Sequence, residues 1–222
     1  MLVLFVKLID VKHLEDVGHL ESINKLEKNM KIIIIILFLI PNIIFNQTKY
    51  SLPCDKLLLQ VSMDSAISQV GEMEFIGKRY NPKILLYLSS VGLGTGQPFC
   101  TAGVYWCFSS AAAGLGLSQN FIPIIRSGMA NAIFNDARMC GAKSKYSVNV
   151  HDLIVWRKNN SFHGHIERVI EVFRAGWVKT VGFNTSSEKS QALNSEKGVF
   201  FRKRNVFHAL GRMKIRGLVG FN

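Results

Sequence analysis

The sequence predicts an α+β domain in which helices come first and strands follow. Up to about Lys145 the apolar residues recur at helical spacing, and after it short β-rich runs take over. Hydrophobic residues make up 48% of the 222 residues, which excludes a disordered chain, a collagen-like repeat and a disulfide-dense miniprotein. The length suits one domain, and no internal repeat or linker marks a second one.

Turn residues and periodicity predict the order of the elements. The first helix stops at Gly71, and the second begins with a proline, which suits a first helical turn. The predicted helices are Leu57–Val70, Pro82–Leu88, Phe99–Ala113 and Gly128–Met139. The predicted strands are Asp152–Trp156, Gly164–Phe173, Trp177–Val181, Val199–Arg202 and Ile215–Phe221.

An apolar run near the start indicates export. Nine apolar residues, Ile32–Ile40, follow Met30 and Lys31 and precede a polar stretch, which is the layout of a signal peptide spanning 30–49. The run is too short to span a membrane, and a buried core helix is the alternative. We therefore expect a secreted or periplasmic protein that meets the membrane only during export, with its domain at 54–222. Residues 1–29 are expected to be a misassigned extension before the true initiator.

The charge balance favours an anionic partner. Lys and Arg number 27 against 15 Asp and Glu, a formal net charge of +12. Nucleic acid, anionic lipid and the bacterial cell wall would all suit such a surface. No nucleic-acid-binding module is recognisable, and export argues against that class. The basic run Arg202–Arg204 is expected to be a solvated face that could also hold anionic wall polymer.

A cysteine and a histidine suggest nucleophilic catalysis. Cys100 is expected to be exposed in the first turn of a helix, where free amides and the helix dipole stabilise a thiolate. His163, His165 and Glu167 share one face of a later strand by the two-residue period. Such a Cys/His pair suits acyl transfer. Two alternatives remain open: Cys100 is a buried structural thiol, or His163 and His165 bind a metal, for which a third ligand is lacking.

The four cysteines have no CxxC spacing, which argues against a zinc ribbon or a redox pair. Two disulfides are possible in an exported protein. However, Cys100 and Cys107 would lie about 10 Å apart along one helix, too far to bridge each other.

Several short motifs, taken in order, resemble the CHAP family of cysteine, histidine-dependent amidohydrolases and peptidases. The resemblance covers about Ala66 to Phe221. The segments that carry it are Ala66–Glu74 with its "IGxxE"-like ending, Pro98–Val104 (similar to "PWCaaFV"), His151–Trp156 ("GDlVvf"), Gly164–Ile166 ("GHvg") and Val181–Ser186 ("iEGNts"). Two departures stand out: His151 replaces a turn glycine, and Gly182 stands where many members carry a glutamate.

The resemblance implies a papain-like fold, with the nucleophile at a helix N-terminus and the helices packed on a C-terminal antiparallel sheet. It implies Cys100 as nucleophile, His165 as general base and Asn184 as the residue that orients the imidazole. Glu167 ranks second for that last role, because neighbours two apart on a strand are expected to splay apart.

The function implied is cleavage of an amide bond in peptidoglycan, by an endopeptidase or an N-acetylmuramoyl-L-alanine amidase, without cofactor or metal. The expected partner is peptidoglycan or another peptide substrate, and no nucleic acid. An inactive relative that binds cell wall or another polyanion is the alternative, and a peptidase acting outside the wall is a third possibility.

Overall fold

The computed structural model describes residues 25–31, 47–74, 81–159, 161–186 and 197–222. The chain divides into two compact units, 1–46 and 47–222. Of the first unit only residues 25–31 are described; they are helical and carry an ion pair between Lys31 and Glu27. The apolar run Ile32–Ile40 lies outside the described residues. Within the described part of the chain, no helix combines the length and apolarity needed to cross a membrane.

The second unit confirms the predicted α+β class and its order of elements. Its helices are α1 (Lys56–Ser68), α2 (Pro82–Ser90), α3 (Cys100–Gly114) and α4 (Ala130–Cys140). Its strands are β1 (Lys49–Leu52), β2 (Ala142–Ser144), β3 (Leu153–Lys158), β4 (Gly164–Val172), β5 (Trp177–Ser186), β6 (Lys197–Asn205) and β7 (Met213–Phe221). Every helix and strand predicted from the sequence is present in this unit.

The C-terminal strands β3 to β7 pair antiparallel, as expected, and the additional strand β1 makes the sheet mixed. Its strand order is β2-β1-β7-β3-β4-β5-β6, and β1 runs parallel to β7. The sequence analysis missed β1 and β2, which lie in the compact unit 47–222. These strands are too short for a periodic signal, and β1 is held by the distant β7 and by a buried 2.7 Å ion pair from Lys49 to Asp152.

The N-terminal cap of α3 differs from those of α1 and α2. Asp55 accepts a 2.9 Å hydrogen bond from the amide of Leu58 at the start of α1, and Asn81 caps α2 in the same way. The N-cap of α3 is Phe99, whose side chain has no polar atom to bind the first amides. The amides at the start of α3 therefore have no side-chain cap.

The helices pack on one face of the sheet, and Gly103 sets how closely α3 approaches it. A Cβ atom at this position would overlap the ring of Phe183 on β5. Ile166 and Arg168 of β4 face the helices, because Ile166 joins the core between the layers and Arg168 donates a 2.9 Å hydrogen bond to Ser62 of α1. By alternation along the strand, Glu167 points to the opposite face.

The turn before β3 explains one departure from the family pattern. His151 has a φ of 77°, in the left-handed region that favours glycine. Its Nδ1 lies 3.3 Å from the guanidinium of Arg168, and burial together with that positive charge lowers the pKa of His151. A neutral imidazole therefore occupies the turn and accepts a hydrogen bond from Arg168.

Candidate active site

Cys100 is the first residue of α3, and its thiol is only 4% exposed. The expectation of an exposed thiol is therefore wrong: the residue belongs to the core between helices and sheet. Burial alone would raise the pKa of Cys100, but a hydrogen bond with His165, the charge of that ring and hydrogen bonds with Thr101 together lower it. The thiol is buried yet poised to ionise.

His165 lies at the start of β4 and is nearly as enclosed. Its ring packs against that of Trp156, with centroids 5.9 Å apart. Burial opposes the charged form, but hydrogen bonds with Cys100 and Glu167, together with their negative charges, raise the pKa of His165 to about 9. At neutral pH these opposite shifts favour a thiolate beside an imidazolium.

Glu167, and not Asn184, lies against the histidine. The Nε2 atom of His165 is 3.0 Å from Oε1 of Glu167. Side chains two apart on a strand start roughly 6.6 Å apart, and the imidazole and the glutamate are long enough to close that gap. The argument that such neighbours splay apart is therefore wrong. Among the described residues no hydrogen bond joins Asn184 to His165, and Asn184 has a φ of 58° at a register shift of β5.

The carboxylate of Glu167 is fully buried and held from three sides. Arg204 on β6 donates to both of its oxygens, with Nε at 2.9 Å from Oε2 and Nη2 at 2.6 Å from Oε1. Thr180 on β5 donates a 2.6 Å hydrogen bond to Oε2. Although burial raises the pKa of a carboxyl, the hydrogen bonds and positive charges of His165 and Arg204 lower that of Glu167 to about 2. The group is an anion at any physiological pH.

Gly182 provides the space that this carboxylate occupies. Gly182 is the register partner of Glu167 across β4 and β5. A Cβ atom on Gly182 would lie 2.9 Å from Oε1 and 3.0 Å from Cδ of Glu167. Where many members of the resembled family carry a glutamate, this chain has a glycine, and the glycine makes room for Glu167 of the neighbouring strand.

Thr180 and Arg204 are the site residues that sequence reasoning missed. Arg204 was assigned to a solvated basic face, whereas its side chain is committed to Glu167. Their contacts depend on the register of β4, β5 and β6, which spacing along the chain does not give. The one signal available in the sequence was a glutamate two residues after the candidate base.

The other described cysteines and histidines lie apart from this arrangement. All four cysteines are free thiols. Burial raises the pKa of Cys107 to about 12 and that of Cys54 to about 11, in contrast to Cys100. His163 is exposed against the ring of Phe162. No group of three or more His, Cys, Asp or Glu side chains suited to a metal ion is found in the part of the chain that the structure describes.

Comparison with known proteins points to the same segment. Residues 92–184 match the family model of the CHAP domain, a span that contains Cys100, His165 and Glu167 but ends before Arg204. No curated protein and no solved structure matches the chain significantly.

Proposed function

Since the chain belongs to the CHAP domain family of cysteine, histidine-dependent amidohydrolases and peptidases, we propose that it is a secreted enzyme that cleaves an amide bond in bacterial peptidoglycan. The observation that carries the proposal is the chain of contacts from Cys100 through His165 to the buried carboxylate of Glu167. It supplies a nucleophile, a proton carrier and a fixed orienting anion, the three parts that acyl transfer needs.

In the first step the Cys100 thiolate attacks the amide carbonyl carbon and forms a C–S bond. The negative charge that develops on the carbonyl oxygen meets the backbone amides at the start of α3, which no side chain caps. His165 donates its proton to the amide nitrogen, the C–N bond breaks, and the amine leaves. An acyl-thioester on Cys100 remains.

In the second step water completes the hydrolysis. Neutral His165 takes a proton from water, whose oxygen bonds to the thioester carbon, and the C–S bond breaks to return the thiolate and a carboxylic acid. Throughout, Glu167 holds the Nε2 side of the ring, so that the other nitrogen faces the reacting atoms. Arg204 acts through Glu167: its hydrogen bonds fix the position of the carboxylate, and its positive charge keeps that group ionised.

Mass analysis of digested wall tests this function. Purified peptidoglycan incubated with the full chain should release fragments, and their masses report which bond is broken: stem peptide, cross-bridge or sugar–peptide junction. New amino termini with intact glycan would mark an endopeptidase, and free stem peptides an amidase. Tight binding without any released fragment would instead favour the inactive wall-binding relative.

Selective alkylation tests the ion pair directly. In a Cys140→Ala background, which removes the exposed thiol, iodoacetamide at pH 6–7 is expected to label Cys100 faster than Cys54 or Cys107, because only Cys100 has a lowered pKa. The site of labelling is read by peptide mass spectrometry over time. Cys54, which is more accessible, is the internal control. If Cys54 is labelled as fast as Cys100, the thiolate–imidazolium pair is absent.

The proposed place of action is outside the cell, reached by the signal peptide predicted at 30–49. What supports it is the charged residue followed by a short apolar run in the sequence. Deleting the apolar run 32–40, which leaves β1 and Lys49 in place, should retain the protein inside the producing cell, as fractionation and immunoblotting would reveal.

A further inference from the structure

An open groove of about 640 Å³ lies along β5 and β6, at the edge of the sheet. Phe173, Trp177 and Phe201 line it with rings that are 37–43% exposed. Arg174, Lys179 and Lys203 supply cations, Arg202 also lines the groove, and none of the described residues that line it is acidic. The groove therefore combines partly exposed aromatic rings with cations on one recessed surface.

The cations and rings alternate across the two strands. Lys179 and Lys203 are direct register partners, an arrangement of like charges that costs stability in a sheet. The Nζ of Lys179 lies 4.3 Å from the ring centre of Phe201, and that of Lys203 lies 5.2 Å from Trp177. Glu171 is opposite Lys179 on β4, yet no ion pair joins the two among the described residues. Among the described residues, Lys179 and Lys203 contact aromatic rings and make no ion pair.

This surface lies on the opposite face of the two strands from the catalytic carboxylate. Thr180 and Arg204 point towards Glu167, and Lys179 and Lys203 are their immediate chain neighbours. Successive side chains of a strand face opposite sides. The described residues that line the groove include neither Cys100 nor His165, so a ligand there would hold the enzyme beside its substrate without filling the catalytic site.

We propose that this groove, here called the β5–β6 groove, binds an anionic polysaccharide of the cell wall. Sugar rings can lie on the exposed faces of Trp177 and Phe201, and their charged groups can pair with Lys179, Lys203 and Arg174. A recessed channel with aromatic walls suits a chain of rings better than a flat lipid surface. The choice of a wall polymer rests on the proposed function, since single-stranded nucleic acid also binds cation-and-ring surfaces.

Binding to wall sacculi by the catalytically inactive full chain tests the groove apart from catalysis. In the Cys100→Ala background, Lys179→Ala/Lys203→Ala is expected to weaken co-sedimentation with purified sacculi by roughly tenfold or more, and to flatten its dependence on salt. The matched control is Lys143→Ala/Lys145→Ala, which removes the same charge from exposed positions on and beside β2. This control should weaken binding to sacculi by less than threefold. Equal losses in the two variants would overturn the groove as the binding site.

Fluorescence gives a second readout that does not depend on the lysines. Trp177 is more exposed than Trp156 or Trp106, so soluble anionic wall fragments should change its emission, and Trp177→Phe should abolish that change. Sacculi stripped of attached phosphate polymers distinguish the two sources of anions. If binding is retained, the groove binds the peptidoglycan itself; if binding is lost, it binds the attached polymer.

Two further outcomes separate this inference from the proposed function. If the unmodified chain binds sacculi through the groove but does not hydrolyse them, the groove is supported as a binding site and the proposed hydrolase function is refuted. Tighter binding to a single-stranded oligonucleotide, or to anionic vesicles, than to sacculi would overturn the polysaccharide as the occupant.

Discussion

Replacing Cys100 with alanine is expected to abolish peptidoglycan hydrolysis, with a loss on the order of 10⁵-fold or more, down to the detection limit of the assay. The reason is that the thiolate forms the covalent bond on which both steps depend, and no other described thiol lies against His165. Cys54 and Cys107 have raised pKa values and remain protonated at neutral pH. Release of soluble fragments from purified sacculi measures the loss.

Cys107→Ala is the matched control for this variant. Both cysteines are buried in α3, about two turns apart, so each substitution removes one sulfur atom from the same core. Each is expected to cost roughly 1–3 kcal/mol in the free energy of unfolding, measured by denaturant titration. Only Cys100→Ala should lose activity. Hydrolysis that persists in that variant, or disappears equally in Cys107→Ala, would refute Cys100 as the nucleophile.

The elements of the fold that could be predicted from the sequence are those with a local signal. Pro82, Gly71 and helical spacing define α1 and α2, and alternating apolar residues define β3 and β4. β1 has four residues and depends on pairing with β7, some 170 positions later in the chain. No local pattern encodes such a partner, and β1 was therefore not predicted.

The site residues, like the elements of the fold, were predicted where they have a local sequence signal and missed where they do not. Cys100 and His165 were identified because their motifs are contiguous, and the structure brings them together. The third residue depends on which side chains meet across β4, β5 and β6, and there the structure places Glu167, rather than Asn184, against His165. Gly182 was noted as a departure, but its meaning required the register that sets it opposite Glu167. The exposure of Cys100 was also mispredicted, because the sheet that buries it comes later in the chain.

Glu167→Gln is expected to reduce turnover by roughly 10²–10⁴-fold, and Asn184→Ala by much less. The amide keeps the shape of the carboxylate but not its charge, so the imidazolium loses its neighbouring anion while the guanidinium of Arg204 remains nearby. Both effects disfavour the charged ring. Substrate binding should change little, because Glu167 is fully buried and does not contact the substrate.

The pH dependence of hydrolysis shows whether Glu167 acts through the charge of His165 or only through packing. The pKa of His165 is raised to about 9, so the thiolate–imidazolium pair persists below that pH and is lost as the pH rises through it. In Glu167→Gln the upper limb of the kcat/KM profile should move to lower pH. Arg204→Gln removes the repelling cation together with the two hydrogen bonds that hold Glu167. The activity of this variant should therefore fall without a shift of the upper limb to lower pH. Asn184→Ala should keep the limb near 9. A larger loss in Asn184→Ala than in Glu167→Gln, with an unmoved limb in both, would return the orienting role to Asn184.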